Sequence, residues 1–363
     1  MGYVAVQGGV TAIENSQKLN QYLRLKGHSA PLSVRQIIEQ LGPLVDRVMS
    51  EGGLYSPFHA ALAIKQASGD PIEAAFLLRA YRSTLRRLQD SLSVRTEDMR
   101  IQRRISAAFK TIPGGQVLGS TSDYEQRILD FSLAEETAET QQTVVDEFEA
   151  GLTNTQESLD PAHFRRVVGM LREQGLVPPV PTQPGAQPTD ITQESATFPM
   201  DRSGRLQMLA RAETGGVLAL AYSSMRGYGN IHPTVGELRV GSVSVQIPHP
   251  WRKGALVTLG SVSITEVEIV AAVERSDDET KPAFTLGYGA CFGHNEVKAI
   301  SLGVLDRAMR SRSPHAPAED QEFVLLHTDG VESSGFCSHF KLPHYVTFQA
   351  DLDRLRAQQG GEE

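Results

Sequence analysis

Five prolines within eleven residues constrain the fold of this chain more than any other feature; they are Pro178, Pro179, Pro181, Pro184 and Pro188. Proline has no amide hydrogen and a fixed φ, so neither a helix nor a central strand continues through such a segment. The stretch before it, residues 135–157, is acidic and poor in large apolar side chains. We therefore predict an acidic and proline-rich connector over residues 135–195, between a domain at 1–134 and a domain at 196–352. Residues 353–363 are predicted to form a polar tail.

The residues before the connector show the apolar spacing of helices. Ser33 can cap a helix that ends at Gly42-Pro43, and another helix is predicted to begin near Pro57. The clearest helix runs from Pro71 to Leu88, with Asp70 as its cap and the proline in its first turn. The spacing predicts that residues 33–110 are mostly helical and that a helical pattern resumes over 123–133.

From Phe198 onward, short apolar or alternating runs separated by glycines indicate strands. The predicted strands are 216–222, 238–245, 256–259, 262–270 and 323–327, although the first of these could be a buried helix. Helical spacing returns only between Val297 and Ala308. The predicted fold class is α+β, a mainly helical N-terminal region joined to a mixed α/β C-terminal domain.

The composition excludes several functional classes. No apolar run reaches the roughly 18 residues that a membrane span needs, and the N-terminus lacks the pattern of an export signal, so we expect a cytoplasmic protein with no membrane partner. Cys291 and Cys337 are the only cysteines, too few for a disulfide framework or an iron–sulfur site. With a net charge of -8, a broad nucleic-acid surface is not expected.

A local basic zone stands out against that acidic background. It consists of Arg79, Arg82, Arg86, Arg87, Arg103 and Arg104. A solvated helix face or a docking surface for an acidic neighbour explains such a zone, and so does phosphate binding.

His339 and His344 form a candidate metal site near the C-terminus. Five residues apart, their side chains would point about 140° apart on a helix and to opposite faces of a strand. Pro343 favours a turn, which could bring both imidazoles to one ion, such as zinc. Two ligands leave a tetrahedral ion incomplete, and Cys337 is a candidate third ligand. The alternative is a pair of hydrogen-bonded surface histidines.

Three carboxylates are candidates for acid–base chemistry. Glu266 and Glu268 share one face of a predicted strand, where close carboxylates raise one pKa if both are buried. Two solvent-facing glutamates would show the same pattern. Asp329 precedes the histidine pair, where it could support the metal ligands or supply a proton.

Two glycine-containing segments are candidates for binding an anionic substrate. In the first, Arg226 lies beside Gly227-Tyr-Gly229; in the second, Gly287, Gly289 and Gly293 precede a helix that Asn295 could cap. Glycines let a backbone approach a ligand closely, and a helix N-terminus offers free N–H groups to a phosphate. A structural loop is an alternative, and the spacing of the second segment matches neither the Walker loop nor the dinucleotide-binding fingerprint.

The order of the sequence motifs resembles subunit I of the bacterial carbon–phosphorus lyase complex. The matching blocks are 46–53, 62–70, 76–82, 103–106 and 112–116 in the first half, and 218–223, 226–229, 287–289, 292–293, 320–324 and 338–346 in the second. The resemblance covers nearly the full length and leaves out the acidic and proline-rich middle and the last residues.

This resemblance implies a transferase subunit of alkylphosphonate metabolism. Family members displace adenine from C1′ of MgATP with an alkylphosphonate, giving ribose 1-alkylphosphonate 5-triphosphate, and act as purine nucleosidases alone. The resemblance implies sister subunits G, H and J, with the ATPase-like subunits K and L. It also implies zinc on His339 and His344 at the interface with subunit J. A scaffold that supplies this zinc site without catalysis is the alternative.

Overall fold

The computed structural model describes residues 8–152, 164–178, 187–227, 232–271, 283–311, 314–342 and 344–359. Its helices are α1 (Gly9–Leu25), α2 (Val34–Gln40), α3 (Gly42–Gly52), α4 (Pro57–Gln66), α5 (Pro71–Thr84), α6 (Ala138–Gly151), α7 (Val167–Glu173), α8 (Arg202–Arg211), α9 (Thr214–Met225), α10 (Glu296–Ala308), α11 (Gln321–His327), α12 (Gly330–His339) and α13 (Tyr345–Gln359). Its strands are β1 (Arg100–Ile105), β2 (Thr234–Pro248), β3 (Leu256–Ala271) and β4 (Thr285–Phe292). The fold is therefore α+β, as predicted. None of the described helices is long and apolar enough to cross a membrane.

The four strands form one antiparallel sheet in the order β1-β2-β3-β4. Strands β2 and β3 make a long hairpin in which Arg239 lies opposite Glu266. Strand β1 pairs with β2 at one edge of the sheet, although it precedes the connector in the sequence. The prediction that residues 33–110 are mostly helical was wrong for this segment, because pairing along β2 favours the extended backbone there.

Alternation along β3 divides the two faces of the sheet. Val267 and Ile269 belong to the largest core cluster, where they pack with α10 residues such as Leu302 and Leu305. Val270 belongs to a small cluster on the other face with residues of α7. Because side chains alternate along a strand, Glu266 and Glu268 lie on the α7 side of the sheet.

Helices α2 to α5 enclose a second core of aliphatic and alanine side chains. The predicted caps are confirmed there: Ser33 forms a reciprocal capping box with Gln36, and the Asp70 carboxylate accepts hydrogen bonds from the amides of Ile72 and Glu73. Helix α5 ends at Thr84, short of the predicted Leu88.

Two predictions from short apolar runs were wrong. The predicted strand at 323–327 is helix α11, which Asp320 caps and which buries only Val324 and Leu325. The helical pattern at 123–133 gives only a 3₁₀ turn at Phe131–Glu135. For residues 216–222 the helical alternative is the correct one, within α9.

The described part of the predicted connector contains two helices. Helix α6 buries no residue, whereas α7 buries Val167, Val168 and Leu171. Both helices precede the proline-rich part of the connector, and α7 packs on the sheet through Val168 and Leu171. Three of the five prolines, Pro179, Pro181 and Pro184, lie outside the described residues. The predicted domain boundaries stay a prediction.

Candidate functional site

A charged cluster occupies the α7 side of the sheet. We call it the sheet-face cluster; its members are Arg104 on β1, Arg166 before α7, Glu237 and Arg239 on β2, Glu266 and Glu268 on β3, and Tyr288 on β4. Buried charges need partners because desolvation is costly. The contacts within this cluster therefore decide the protonation state of each carboxyl group.

Glu266 is the most heavily bonded carboxylate of the cluster, and it is only 2% exposed. It accepts hydrogen bonds from Arg239 at 2.5 Å and from Arg166 at 2.9 Å. The hydroxyl groups of Tyr288 at 2.9 Å and Thr96 at 2.8 Å donate to its Oε1. Burial raises the pKa of Glu266, but the two guanidinium groups outweigh burial and hold that pKa below its usual range.

Glu268 lies two residues further along the same face and has a different environment. Arg166 forms an ion pair with its Oε1 at 3.2 Å, while its Oε2 is buried without a hydrogen-bond partner among the described residues. Burial raises the pKa of Glu268; Arg166 opposes this, and the charges of Glu266 and Glu237 add to the increase. The sequence-based expectation of two close carboxyl groups with separated pKa values therefore matches the geometry. Such a pair suits one group to hold a proton and the other to stay ionised.

The pair of Arg104 and Glu237 anchors the surrounding chain. Arg104 Nε donates to Glu237 at 2.5 Å, and its other nitrogens donate to the carbonyl oxygens of Pro113, Gly115 and Arg165. These bonds join β1 to the segment that leads into α7. The sequence did not place Arg104 or Arg239 in this cluster: Arg104 was part of the basic zone in a segment predicted to be helical, and Arg239 gave only the signal of an arginine inside a predicted strand. Arg166 gives no signal, because it belongs to the predicted connector.

The glycines predicted to bind an anion lie in a different place than expected. Gly287 and Gly289 are inside β4 and not in a loop, and a Cβ at either position would overlap the backbone of α10. Their small size is what lets the helix approach the strand. Gly293 follows the strand with φ 72°, and a Cβ there would overlap the carboxylate of Asp46. Asn295 precedes α10, but its side chain bonds Phe292 and not the helix N-terminus.

Arg226 lies at the C-terminal end of α9, where it is exposed and donates to the hydroxyl group of Tyr222 at 2.9 Å. The next residues of that predicted loop, 228–231, lie outside the described residues. Its role as a substrate ligand stays a prediction.

Asp329 caps helix α12. Its Oδ1 accepts from the amides of Val331 and Glu332, and its Oδ2 accepts from Arg79 at 2.7 Å. A ten-residue helix is about 15 Å long. Asp329 and His339 occupy opposite ends of this helix, so the structure does not bring Asp329 beside the histidine pair. The role of Asp329 as a proton donor stays a prediction.

The rings of His339 and His344 lie close together, with their centroids 5.3 Å apart. In each ring Nδ1 contacts a backbone carbonyl oxygen, that of Phe336 or Leu342, which leaves Nε2 free to bind a metal. Pro343, on which the predicted turn depended, lies outside the described residues.

No third ligand joins this pair in the described part of the chain. Cys337 lies two residues before His339 on α12, where side chains point about 160° apart, so Cys337 is not placed to complete the site. Nowhere in the described ranges do three His, Cys, Asp or Glu side chains come together as a metal site.

The fold and the cluster define an α+β protein that buries two carboxyl groups of opposed pKa on an antiparallel sheet. Comparison with known proteins identifies its family. A sequence profile of the family described as "Bacterial phosphonate metabolism protein (PhnI)" matches residues 2–361, so the chain belongs to this family.

Three curated relatives agree with this assignment over nearly their whole length. The chain is 52% identical to a protein of Stutzerimonas stutzeri named "Putative C-P lyase subunit protein HtxH", covering 99% of this chain and 96% of the relative. It is 47% identical to the Escherichia coli (strain K12) protein named "Alpha-D-ribose 1-methylphosphonate 5-triphosphate synthase subunit PhnI", covering 98% of both. The protein of the same name from Rhizobium meliloti (strain 1021) is 44% identical over 99% of this chain and 98% of the relative.

Proposed function

We propose that this chain is a catalytic subunit of a carbon–phosphorus lyase core complex. It displaces adenine from C1′ of MgATP with an alkylphosphonate, and the product is ribose 1-alkylphosphonate 5-triphosphate. In isolation it acts as a purine nucleosidase, with water in place of the phosphonate. The observation that carries this proposal is the full-length similarity to two proteins named as synthase subunits for that product.

The two glutamates of the sheet-face cluster match the needs of this reaction. Displacement at C1′ breaks the bond to the base nitrogen and forms a bond to an incoming oxygen, through a transition state with positive charge on the ribose. Glu266, kept ionised by Arg239 and Arg166, stabilises that charge. Glu268, whose pKa is raised, donates the proton that adenine takes as it leaves. Arg166 contacts both carboxyl groups and keeps them at a defined separation.

Magnesium enters with ATP as part of the substrate, and zinc is the proposed resident metal. His339 and His344 would hold the zinc through Nε2, and the remaining ligands would come from a partner chain, substrate or water. When bound, zinc supplies a Lewis acid at that surface. The chain's own contribution is to orient both imidazoles through their Nδ1 contacts to backbone carbonyl groups.

The C-terminal helices support assembly with sister subunits. Helices α12 and α13 bury no residue within the described chain. Their exposed apolar side chains include Phe336, Val346 and Phe348, and Phe340, the C-cap of α12, is also exposed. Apolar surface of this extent is typical of an interface. We propose that this surface, which includes the histidine pair, meets the lyase subunit J, and that subunits G, H, K and L complete the assembly.

Adenine release from MgATP tests the catalytic proposal directly. The full-length chain, alone and with its sister subunits, is expected to release the base, as measured by chromatography. Glu268→Gln removes the proton donor and should lower the rate of release about 100-fold, in the range of one general acid. The matched control is Glu39→Gln, which removes an exposed carboxylate that pairs with Arg35 on the same helix.

Two outcomes would contradict the proposal. No base release by the wild-type chain, alone or in the complex, would leave the scaffold alternative. The histidine pair favours that role, because the scaffold needs only a surface that supplies two zinc ligands; His339 is half-buried and His344 is exposed there. Equal rates for Glu268→Gln and Glu39→Gln would remove the sheet-face cluster from the reaction.

A further inference from the structure

Three arginines meet at the C-terminal end of α3, away from the sheet-face cluster. Arg79 and Arg82 lie one turn apart on α5, and Arg211 is the last residue of α8. Arg82 and Arg211 meet at Gly53, where a Cβ atom would lie 2.9 Å from Cδ of Arg211 and 3.3 Å from Nη1 of Arg82. Arg79 lies next to them and donates to the carbonyl oxygens of Glu51 and Arg211. Gly53 has φ 67°, a conformation that favours glycine. The absent side chain leaves this space to the two arginines.

Arg79 is held in place by bonds that balance its charge. Its Nη1 donates to Asp329 Oδ2 at 2.7 Å, and its Nη2 donates to the carbonyl oxygen of Glu51 at 2.8 Å. Arg79 is therefore a fixed positive group beside the other two arginines.

Arg82 and Arg211 have no such partner. Within the described ranges, neither guanidinium group forms a hydrogen bond or an ion pair, and Nε of Arg211 is buried without an acceptor. Burial lowers the pKa of both groups, and the charge of Arg79 lowers it further. Because arginine stays protonated in proteins, two positive charges remain uncompensated in a partly buried position.

The carboxylates near these two arginines are already bonded elsewhere or exposed. The charge of Asp190 raises the pKa of Arg82, but Asp190 forms its ion pair with Arg87. In the same way, the charge of Asp329 raises the pKa of Arg211, but Asp329 forms its ion pair with Arg79. Glu332 lies in the first turn of α12 and is exposed. The charge balance is therefore open to an anion from outside the chain.

We propose that Arg82 and Arg211, with Arg79 as their fixed neighbour, bind a tetrahedral dianion of the phosphate or phosphonate class at Gly53. A dianion matches the two free charges, whereas a carboxylate would neutralise only one. The planar forks of two guanidinium groups fit pairs of phosphate oxygens. The site is independent of the proposed transferase reaction, because it requires neither Glu266 nor Glu268.

Binding of inorganic phosphate to the full-length chain tests this site. Isothermal titration is expected to show one phosphate bound per chain, and affinity should fall at least tenfold in Arg82→Gln and Arg211→Gln. Arg82→Lys keeps the charge but loses the fork, and should bind with intermediate affinity. Arg86→Gln is the matched control, since it removes an exposed arginine from the same basic zone and should bind like the wild type.

Thermal unfolding gives a second readout that does not depend on the affinity measurement. In chloride buffer, Arg82→Gln should unfold at the same temperature as the wild type or higher, because it removes like-charge repulsion. In phosphate at equal ionic strength, the wild type and Arg86→Gln should gain stability, Arg82→Lys should gain less, and Arg82→Gln and Arg211→Gln should gain none. Equal gains in all variants, or no phosphate binding by the wild type, would overturn the proposal.

A parallel titration with ATP distinguishes two possible ligands, the phosphate chain of a nucleotide and a free phosphate or phosphonate. Loss of ATP affinity in Arg82→Gln would identify the phosphate chain of a nucleotide as the natural ligand. Unchanged ATP affinity with lost phosphate affinity would identify a free phosphate or phosphonate. Adenine release is not measured in these experiments, so their failure is distinct from failure of the proposed reaction.

Discussion

At the scale of single residues, Glu268 shows how burial can favour the protonated form of a carboxyl group. Its pKa is raised in the folded protein, chiefly by burial. A carboxyl group with a raised folded-state pKa contributes stability that is fully present below its unfolded pKa of about 4.3 and is lost as pH rises through the folded value. We expect Glu268→Gln to increase the free energy of unfolding at pH 7, by about 1.4 kcal/mol for each unit of pKa shift removed.

Urea unfolding at pH 7 and pH 4 measures this effect. The gain in Glu268→Gln should shrink at pH 4, where the wild-type carboxyl group is already neutral, and Glu39→Gln should show no comparable dependence. Glu266 has the opposite sign: its lowered pKa adds stability above its unfolded value, and this is lost as pH falls through the folded value. Destabilisation by Glu268→Gln at pH 7 would show that its ion pair with Arg166 outweighs its burial.

At the scale of elements, the contact between β4 and α10 depends on glycine. A Cβ on Gly289 would lie 2.8 Å from the amide nitrogen of Gly303 and 2.9 Å from Cβ of Leu302. Backbone atoms cannot move aside as a flexible side chain can. We expect Gly289→Ala to destabilise the protein by about 1–3 kcal/mol, the usual cost of overpacking, as measured by chemical denaturation.

Gly335→Ala is the control for this substitution. Gly335 lies inside α12, and an added Cβ would meet no atom within 4 Å. Alanine favours a helix over glycine by about 1 kcal/mol, so this variant should be as stable as the wild type or more stable. If both variants had the same stability, close packing would not explain Gly289.

At the scale of the whole molecule, the histidine pair belongs to a surface and not to a closed site. His339→Ala and His344→Ala should each lower zinc content in the purified complex to about a tenth or less, measured by elemental mass spectrometry, because each change leaves a single histidine of this chain to hold the zinc. Base release should persist, since the sheet-face cluster is unchanged. His28→Ala, at an exposed histidine outside the pair, is the control. Unchanged zinc in both variants would contradict this assignment.

Features of the fold that depend on neighbouring residues could be predicted from the sequence, whereas features that depend on distant segments could not. Caps such as Ser33 and Asp70 act within three residues, so the sequence predicted them correctly. The run at 323–327 is too short to separate helix from strand by period alone, and burial of Val324 and Leu325 decided it. The position of β1 depends on pairing with a strand more than a hundred residues away, which no local pattern indicates.

The candidate site also has a part that the sequence predicted and a part that it did not. A spacing of two residues on a predicted strand brought Glu266 and Glu268 together in advance, because side chains alternate along any strand. Which groups surround them could not be predicted. Arg166 arrives from the segment before α7, and Tyr288 arrives from the neighbouring strand.

The sequence by itself determined the α+β class, the family resemblance, the capped helices and the two pairs of residues, Glu266 with Glu268 and His339 with His344. Each rests on local spacing or on local motifs. Only the tertiary structure decided that Glu266 and Glu268 are buried with opposed pKa shifts, and that Gly287 and Gly289 admit a helix and not an anion. It also decided that Arg82 and Arg211 lie together beside Gly53 with no ion-pair partner in the described part of the chain. Those properties depend on desolvation and on charges brought together from distant segments, and neither exists until the chain has folded.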